Sequence, residues 1–263
     1  MRLYWELAKR QCQQQLAYRT ANLAGLLTNA FFGYVRAAVL FAAFAGQSTV
    51  AGYDSASIVT FTWVTQGLIM VINLWGGLGI AETIRTGAVV SDLSKPFSYL
   101  GYWLSRDYGR AAYFLLFRCA PVLLVGQLMF GLRWPQRPET WLVVAVSVVL
   151  AIPVSFSWNF LVEMTSFWIV NANGVRQFAM GFFIFFSGFA IPIPFFPPWL
   201  QAIAHALPFA AVTQIPVDLF LERMSPVEVL AGLGTQLAWA AVMLAAAQAM
   251  TLVATRRVVT QGG

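Results

Sequence analysis

The chain has 263 residues, of which 59% are hydrophobic and only 10% are charged, and its formal net charge is +6. Soluble domains carry roughly 25% charged residues, so the composition excludes an ordinary soluble protein. The positive charge does not indicate nucleic acid, because most basic residues flank apolar stretches long enough to cross a bilayer, which takes about 20 residues.

Six apolar stretches are predicted to be transmembrane helices, because backbone groups in lipid must find their hydrogen bonds within the protein. They are Ala21–Ala45, Ile58–Gly79, Ala111–Leu132, Trp141–Val170, Gln177–Ile193 and Val227–Thr255. If the N-terminus is cytoplasmic, eleven Lys and Arg residues lie on the cytoplasmic side and three on the outer side. This asymmetry predicts that both ends are cytoplasmic, with basic residues that contact anionic lipid.

Residues 1–20 are predicted to form a helix on the cytoplasmic membrane surface. Trp5, Ala8, Cys12 and Leu16 share one face at helical spacing, as in interfacial helices. A plain polar leader is the alternative, since two leucines fall on the opposite face. The segment has no short apolar core before a cleavage site, so the first span is expected to be retained.

The cytoplasmic segment after the second span, residues 80–110, is the longest basic one. It is predicted to hold a helix from Ala81 to about Leu93. A break follows at Lys95–Pro96, because the residue before a proline disfavours the helical conformation. A second amphipathic piece, Tyr99–Tyr108, then leads into the third span.

The fourth predicted span is long. Its 30 residues would extend about 45 Å, against a hydrocarbon core of roughly 30 Å. Either the helix tilts or its cytoplasmic end, near Asn171, protrudes, and a kink is expected at Pro153. Ser155, Asn159 and Glu163 lie near one face of this span. They either line a conduit or bond to neighbouring helices.

Three formal charges fall inside the predicted spans and away from their ends, namely Arg36, Arg118 and Glu163. Charges within a membrane usually pair or line a water-filled path. Arg118 and Glu163 stand at similar depth and are predicted to form an ion pair, which either fixes the bundle or contacts substrate. For Arg36, the predicted partners are the outer acidic residues Asp218 and Glu222.

Residues 192–225 begin with four prolines in seven residues, which end the fifth helix. The residues that follow stay apolar but are too few to span. This predicts a re-entrant hairpin on the outer face, with an ordinary extracellular loop as the alternative. The single histidine, His205, excludes a metal centre built on several histidines, and no nucleotide-binding loop is present.

Three features together resemble the permease subunit of ABC-2-type exporters. The first is the order of a cytoplasmic leader, six spans and two cytoplasmic ends. The second is the stretch Ala81–Pro96, with Glu82, Gly87, Leu93 and Pro96 in sequence, which looks like the coupling helix of that family. The third is the run of Ser187–Pro192, Pro197–Leu200 and Leu207–Phe209, which resembles the signature before the last span. Together they cover nearly the whole chain.

The resemblance implies an all-α integral membrane protein with six transmembrane helices. Residues 1–20 would be the interfacial helix and 21–263 one ABC-2-type transmembrane domain. That domain would include a cytoplasmic coupling helix within 80–110 and an outer re-entrant hairpin at 192–225. The chain would be multi-pass in the bacterial cytoplasmic membrane.

The implied function is the permease of an ATP-driven exporter for a hydrophobic or amphipathic substrate such as a drug, antibiotic, lipid or metabolite. The implied partners are a cytoplasmic ABC ATPase dimer, which binds the ATP and Mg, and a second permease, either homologous or identical. The chain itself would be no enzyme and would bind no cofactor, metal or nucleic acid. The alternative is a stand-alone channel or secondary transporter, against which the lack of an internal repeat counts.

Three groups of residues follow from these interpretations. The residues expected to contact the ATPase are Glu82, Arg85, Gly87, Val90, Leu93, Lys95 and Pro96. The intramembrane polar or conduit residues are Arg36, Arg118, Ser155, Asn159 and Glu163. The outer gate residues are Pro192, Pro197, Pro198, Trp199 and Pro208.

Overall fold

The computed structural model describes residues 2–17, 19–44, 48–75, 77–169 and 172–256. The helices of these residues are α1 (Arg2–Ala17), α2 (Arg19–Ala43), α3 (Ser55–Leu68), α4 (Ile80–Arg85), α5 (Val89–Leu93), α6 (Tyr99–Phe114), α7 (Ala120–Phe130), α8 (Pro138–Met164), α9 (Asn173–Phe186), α10 (Pro198–His205), α11 (Gln214–Phe220) and α12 (Pro226–Thr255). A π-helical turn, Leu115–Cys119, joins α6 to α7, and 3-10 turns occupy Thr165–Phe167 and Ile193–Phe195. Two short antiparallel strands, β1 (Thr49–Val50) and β2 (Tyr53–Asp54), pair Thr49 with Asp54.

Within the described ranges, four helical stretches are long and apolar enough to cross a membrane. They are Asn22–Ala42, Tyr99–Phe130, Pro138–Phe167 and Pro226–Thr255. They confirm the helices predicted for the first, third, fourth and sixth spans. The predicted ends at Ala45 and Val170, and the predicted protrusion at Asn171, lie outside the described residues.

The third of the predicted spans begins earlier than expected. The piece Tyr99–Tyr108 is continuous with it, because Ser98 accepts a hydrogen bond from the amide of Gly101 and starts an unbroken helical stretch. Three charged residues, Arg106, Asp107 and Arg110, therefore belong to this membrane-length stretch. Asp107 and Arg110 pair with each other at 2.7 Å, which lowers the free-energy penalty of burying either charge.

The second and fifth predicted spans are wrong in length. Both α3 and α9 have 14 residues, about 21 Å of helix, and each ends in turns. After α3 the chain adopts φ 51° at Asn73, and after α9 it adopts φ 80° at Gly188. Residues 69–74 are nevertheless mostly buried, because this non-helical backbone lies inside the bundle. The six-span count stays a prediction.

The fourth span is long, as predicted. Helix α8 has 27 residues and runs through Pro153, which is buried. It packs along α12, where the buried Gln236 donates to the carbonyl oxygens of Ser147 at 3.1 Å and Ala211 at 2.7 Å. Helix α12 starts at a capping box, in which Ser225 and Glu228 exchange side-chain-to-backbone hydrogen bonds.

Trp63 organises the contact of α2, α3 and α7. Its side chain is fully buried, and the glycines Gly33 of α2 and Gly126 of α7 lie against its ring. A Cβ at Gly126 would approach the indole to 2.5 Å, so a larger residue would not fit without movement. Small residues let membrane helices approach closely, which is their role here.

The leader is a helix, as predicted, but it packs on α6. Gly109 of α6 lies against the backbone of Ala8, Gly101 lies against Tyr4, and Arg106 donates to the side chain of Gln11 at 3.0 Å. Of the predicted apolar face, Cys12 packs into the core, while Trp5 is 70% exposed. Its position on a membrane surface stays a prediction.

We expect Gly109→Ala to loosen the contact between α1 and α6, because the added methyl meets the backbone of Ala8. Overpacking of this kind destabilises by about 1–3 kcal/mol. The melting temperature of the purified protein in detergent should fall, and protease should cut α1 faster. Gly181→Ala is the matched control, since nothing lies within 4 Å of that position. Equal melting temperatures for the two variants would contradict the packing described.

Candidate functional site

The segment after α3, predicted to be cytoplasmic, differs in shape from the single helix predicted for Ala81–Leu93. It forms two short helices, α4 and α5, separated at Gly87, which has φ 76°. A left-handed glycine between two helical turns breaks the regular hydrogen-bond ladder. The predicted break before Pro96 is confirmed, because α5 ends at Leu93.

The predicted coupling residues divide into an exposed and a packed set. The side chains at the surface are Glu82, Arg85, Lys95 and Pro96, with Gly87 at the bend. Half-buried Val90 and Leu93 instead pack on an apolar cluster with Ile80 and Tyr99. The segment therefore presents charges outward while its apolar side holds it to the bundle.

Two ion pairs hold the exposed charges in place. Arg85 pairs with Glu82 at 2.7 Å, and Lys95 pairs with Asp92 at 2.7 Å. The hydrogen bond from Arg85 lowers the pKa of Glu82, and the bond to Asp92 raises the pKa of Lys95. Exposed ion pairs of this kind add little stability.

Glu163 fixes α4 to α8. Its carboxylate accepts hydrogen bonds from the backbone amides of Leu78 and Ala81, the second at 3.0 Å. Ala81 lies in the first turn of α4, where amides lack helical partners and a negative charge is favoured. A charged acceptor makes these bonds stronger than neutral ones.

The predicted ion pair between Arg118 and Glu163 is therefore wrong. Arg118 lies in the π-helical turn, 7% exposed, with its guanidinium against Gly25 of α2 and 5.6 Å from the ring of Phe114. The two residues stand at similar depth, but their side chains point to different neighbours.

Asn159 and Arg110 bind the non-helical backbone that follows α3. Asn159 donates to the carbonyl oxygen of Asn73 at 3.0 Å. Arg110 donates to the carbonyl oxygens of Met70 and Val71, the second at 2.9 Å. The third residue of the predicted polar face, Ser155, bonds only within its own helix, to Ile152. That any of these residues lines a conduit stays a prediction.

A polar cavity of about 600 Å³ opens between α4, the end of α8 and the start of α9. Glu163 and Arg176 converge there on Gly77, where a Cβ would lie 2.7 Å from the Glu163 carboxylate and 3.3 Å from the Arg176 guanidinium. The exposed pair of Glu82 and Arg85 lines the same cavity. Sequence reasoning missed Arg176 because it stands alone before an apolar run.

Arg36 does not reach the acidic residues predicted for it. It donates to Thr65 Oγ1 at 3.4 Å, to Gln66 Oε1 at 3.0 Å and to the carbonyl oxygen of Phe189, whose ring lies 4.2 Å away. Asp218 and Glu222 have other partners, described next.

The outer acidic residues hold the segments around them. Asp218 accepts from Tyr53 at 3.0 Å and from Gln214 at 2.8 Å. Burial raises the pKa of Asp218. Glu222 accepts from the Arg137 amide at 3.0 Å and from a threonine hydroxyl of α8 at 2.8 Å.

The predicted gate residues lie in the chain between α9 and α11. Pro192 precedes the 3-10 turn, Pro197 and Pro198 begin α10, and Pro208 is buried beyond it. Trp199 is 65% exposed. Helix α9 ends at Phe186, ahead of Gly188 and of the first proline at Pro192, so its end falls earlier than the prolines predict. A re-entrant path and a gating role stay predictions.

Gln214 joins this outer segment to the rest of the protein. Its Oε1 accepts from the Ile193 amide at 3.0 Å, and its Nε2 donates to the Tyr53 hydroxyl at 3.0 Å and to Asp218. A Cβ at Gly188 would meet the same amide oxygen at 2.5 Å, so glycine is required there twice, for space and for φ. No pattern in the sequence singles out this glutamine.

A family model described as ABC-2 family transporter protein matches residues 28–262. The chain belongs to this family. No curated protein matches the sequence. Family membership makes the chain a multi-pass membrane permease of an ABC transporter, a membrane component that works with an ATPase partner. The matched range contains α4 and α5, together with Arg110, Asn159 and Glu163, whose side chains bond to the backbone between α3 and α4 or to α4 itself.

We expect Glu163→Ala to destabilise the permease by about 2 kcal/mol or more, because two buried amides lose a charged acceptor. Glu163→Gln keeps one acceptor oxygen and should lose less. Melting temperature and protease cleavage at the α4–α5 segment are the measurements.

Glu139→Gln is the matched control for charge removal from α8, since Glu139 is exposed in the first turn. Equal melting temperatures for Glu163→Ala and this control would contradict the role given to Glu163.

Proposed function

We propose that the chain is the permease of an ATP-driven exporter that moves an amphipathic substrate outward across a bacterial cytoplasmic membrane. The ATP and Mg would bind to the partner ATPase dimer, and a second permease, identical or homologous, would complete the path. The proposal goes beyond family membership in its direction, substrate class and mechanism.

One observation carries the mechanism: the exposed α4–α5 segment is bonded through its backbone to α8 at Glu163. The chain just before it is bonded to α6 at Arg110. Force applied to the segment by a closing ATPase dimer would therefore reach two membrane-length helices. Hydrogen bonds to backbone transmit such movement more directly than side-chain contacts on a mobile loop.

The distribution of basic residues supports the proposed orientation of the chain in the membrane. Arg85, Lys95 and Arg106 lie on or near the α4–α5 end, which the excess of basic residues assigns to the cytoplasm. The Gln214 contacts at the opposite end join the α9–α11 segment to Tyr53 of β2. A change in α3 or α8 would shift this segment, which supports its proposed role as an outer gate.

Two apolar cavities support an amphipathic substrate. A groove of about 430 Å³ is lined by Trp158, Phe178, Phe182 and other apolar side chains of α8, α9 and α12. A second cavity, of about 370 Å³, lies between α2, α3 and the turn after α9. Helix α2 also exposes large apolar residues, including Leu27 and Phe31, to lipid or to the second permease.

Affinity purification of the tagged chain from native membranes in mild detergent, followed by mass spectrometry, tests the proposal. A stoichiometric ABC ATPase is the expected companion, and the ratio of chains reveals whether the second permease is identical. A homo-oligomer without ATPase would contradict the exporter and favour a channel or secondary transporter.

We expect Gly87→Pro to release the ATPase while the protein still inserts in the membrane. Proline holds φ near −65° and is incompatible with the φ of 76° at this bend. The amount of ATPase retained on the tagged permease is the measurement, with at least about a tenfold loss expected from several kcal/mol of strain.

Ala88→Pro is the matched control, because the φ of −62° at Ala88 already suits proline. It should retain the ATPase. Full retention by Gly87→Pro, or equal loss in both variants, would contradict the role of this bend.

A further inference from the structure

Arg36 carries a positive charge that no acidic side chain in the described part of the chain neutralises. Its acceptors are Thr65, Gln66 and the carbonyl oxygen of Phe189, all uncharged. A guanidinium has five N–H donors, so these three bonds leave part of its capacity unused. An unneutralised charge in a membrane-length helix is costly, which points to a partner outside this chain.

Arg36 lines the cavity of about 370 Å³ between α2 and α3, here called the α2–α3 cavity. Its polar lining includes Arg36, Asn29 and Gln66, and its apolar lining includes Phe32, Trp75 and Phe189. Asn29 is only 8% exposed, and its amide nitrogen has no hydrogen-bond partner among the residues that the structure describes. A buried amide nitrogen without a partner is rare in proteins.

We propose that the α2–α3 cavity binds the anionic head group, a carboxylate or phosphate, of an amphipathic ligand. Arg36 and Asn29 would donate hydrogen bonds to the anionic oxygens, and Phe32, Trp75 and Phe189 would cover the adjoining apolar part. This proposal deepens the proposed function, on which it rests for the identity of the ligand as cargo. It gives the charge of Arg36 an anionic partner that the described part of the chain does not supply.

The chemistry selects an anion because the unused groups are donors. A cationic head group would meet the Arg36 charge, and an uncharged apolar ligand would leave Arg36 and Asn29 unpaired. Charge-assisted bonds from a guanidinium to carboxylate or phosphate are about twice as strong as neutral ones. The cavity volume lies in the range of small-molecule sites.

Binding is measured on the full-length chain in phosphatidylcholine nanodiscs with dibromostearate as the probe. Bromine quenches the fluorescence of nearby tryptophan, and Trp75 lines the cavity. The difference in quenching between the unaltered chain and Trp75→Phe therefore measures binding at this site. Methyl dibromostearate is the uncharged comparison of equal chain length. The acid should bind about tenfold more tightly than the ester, as expected for charge-assisted bonds.

Arg36→Gln should abolish the preference for the acid, and Arg36→Lys should keep most of it. Asn29→Leu should weaken acid binding about tenfold, the effect of losing one hydrogen bond to a charged group. Arg133→Gln is the matched control, since Arg133 is exposed near the outer surface and pairs with Asp54; it should bind as the unaltered chain does. Equal binding of acid and ester, or an unchanged preference in Arg36→Gln, would overturn the proposal.

If Arg36→Gln cannot be recovered as a monodisperse protein, Asn29→Leu tests the proposal in its place. Acid binding by Asn29→Leu that equals binding by the unaltered chain would overturn the proposed site. Adding phosphatidylglycerol to the nanodiscs separates two sources of the anion. If phosphatidylglycerol abolishes the quenching of Trp75 by dibromostearate, the site is supported with a bilayer lipid as its occupant. If the quenching of Trp75 is retained, the site is supported with a single-chain amphiphile as its occupant.

The assay contains no ATPase, so its outcome is independent of the purification experiment. A preference for the acid, found together with no co-purified ATPase, would contradict the exporter function and still support the anion site.

Discussion

The backbone between α3 and α4 leaves the helical conformation within the bundle, and its polar groups need partners there. An unpaired carbonyl or amide in an apolar region costs several kcal/mol, so bundles rarely contain irregular backbone without dedicated side chains. Arg110, Asn159 and Glu163 supply these partners. The need to satisfy these backbone groups thereby connects α6 and α8 to the chain that leads into α4 and α5.

The same three residues join stability to function in the proposed mechanism. A polar side chain that satisfies backbone groups of another element fixes the distance between the two elements. Movement of α4 then requires either movement of α8 or the loss of bonds to Glu163. The alternative interpretation of Glu163 as a conduit residue does not conflict with these contacts, because Glu163 also lines the polar cavity between α4, α8 and α9.

The long helices followed from the sequence because each is a continuous apolar run of sufficient length. The lengths of α3 and α9 did not follow, since hydropathy reports burial and not backbone conformation. Ile72 and Leu74 are buried although they lie in turns. Glycine and proline mark the end of α9 at Gly188 and Pro192, whereas no such residue follows Leu68 directly.

The charged contacts were harder to predict for a geometric reason. Counting residues along a helix gives the depth of a side chain, but its direction depends on how the helix is rotated. Arg118 and Glu163 match in depth and differ in direction, so the inferred pair fails. Long-range contacts of single polar residues, such as Gln214 with Tyr53, have no repeat or spacing that a sequence would reveal.

The π-helical turn at Leu115–Cys119 divides the third span into two halves with different neighbours. A single extra residue in a turn rotates the following helix by about 100° about its axis. Gly109 before the turn faces the leader, and Gly126 after it faces Trp63. A regular helix of the same sequence would satisfy one of these close contacts and misdirect the other. The turn thus lets one span present Gly109 to the leader and Gly126 to Trp63 of α3, on two differently directed faces.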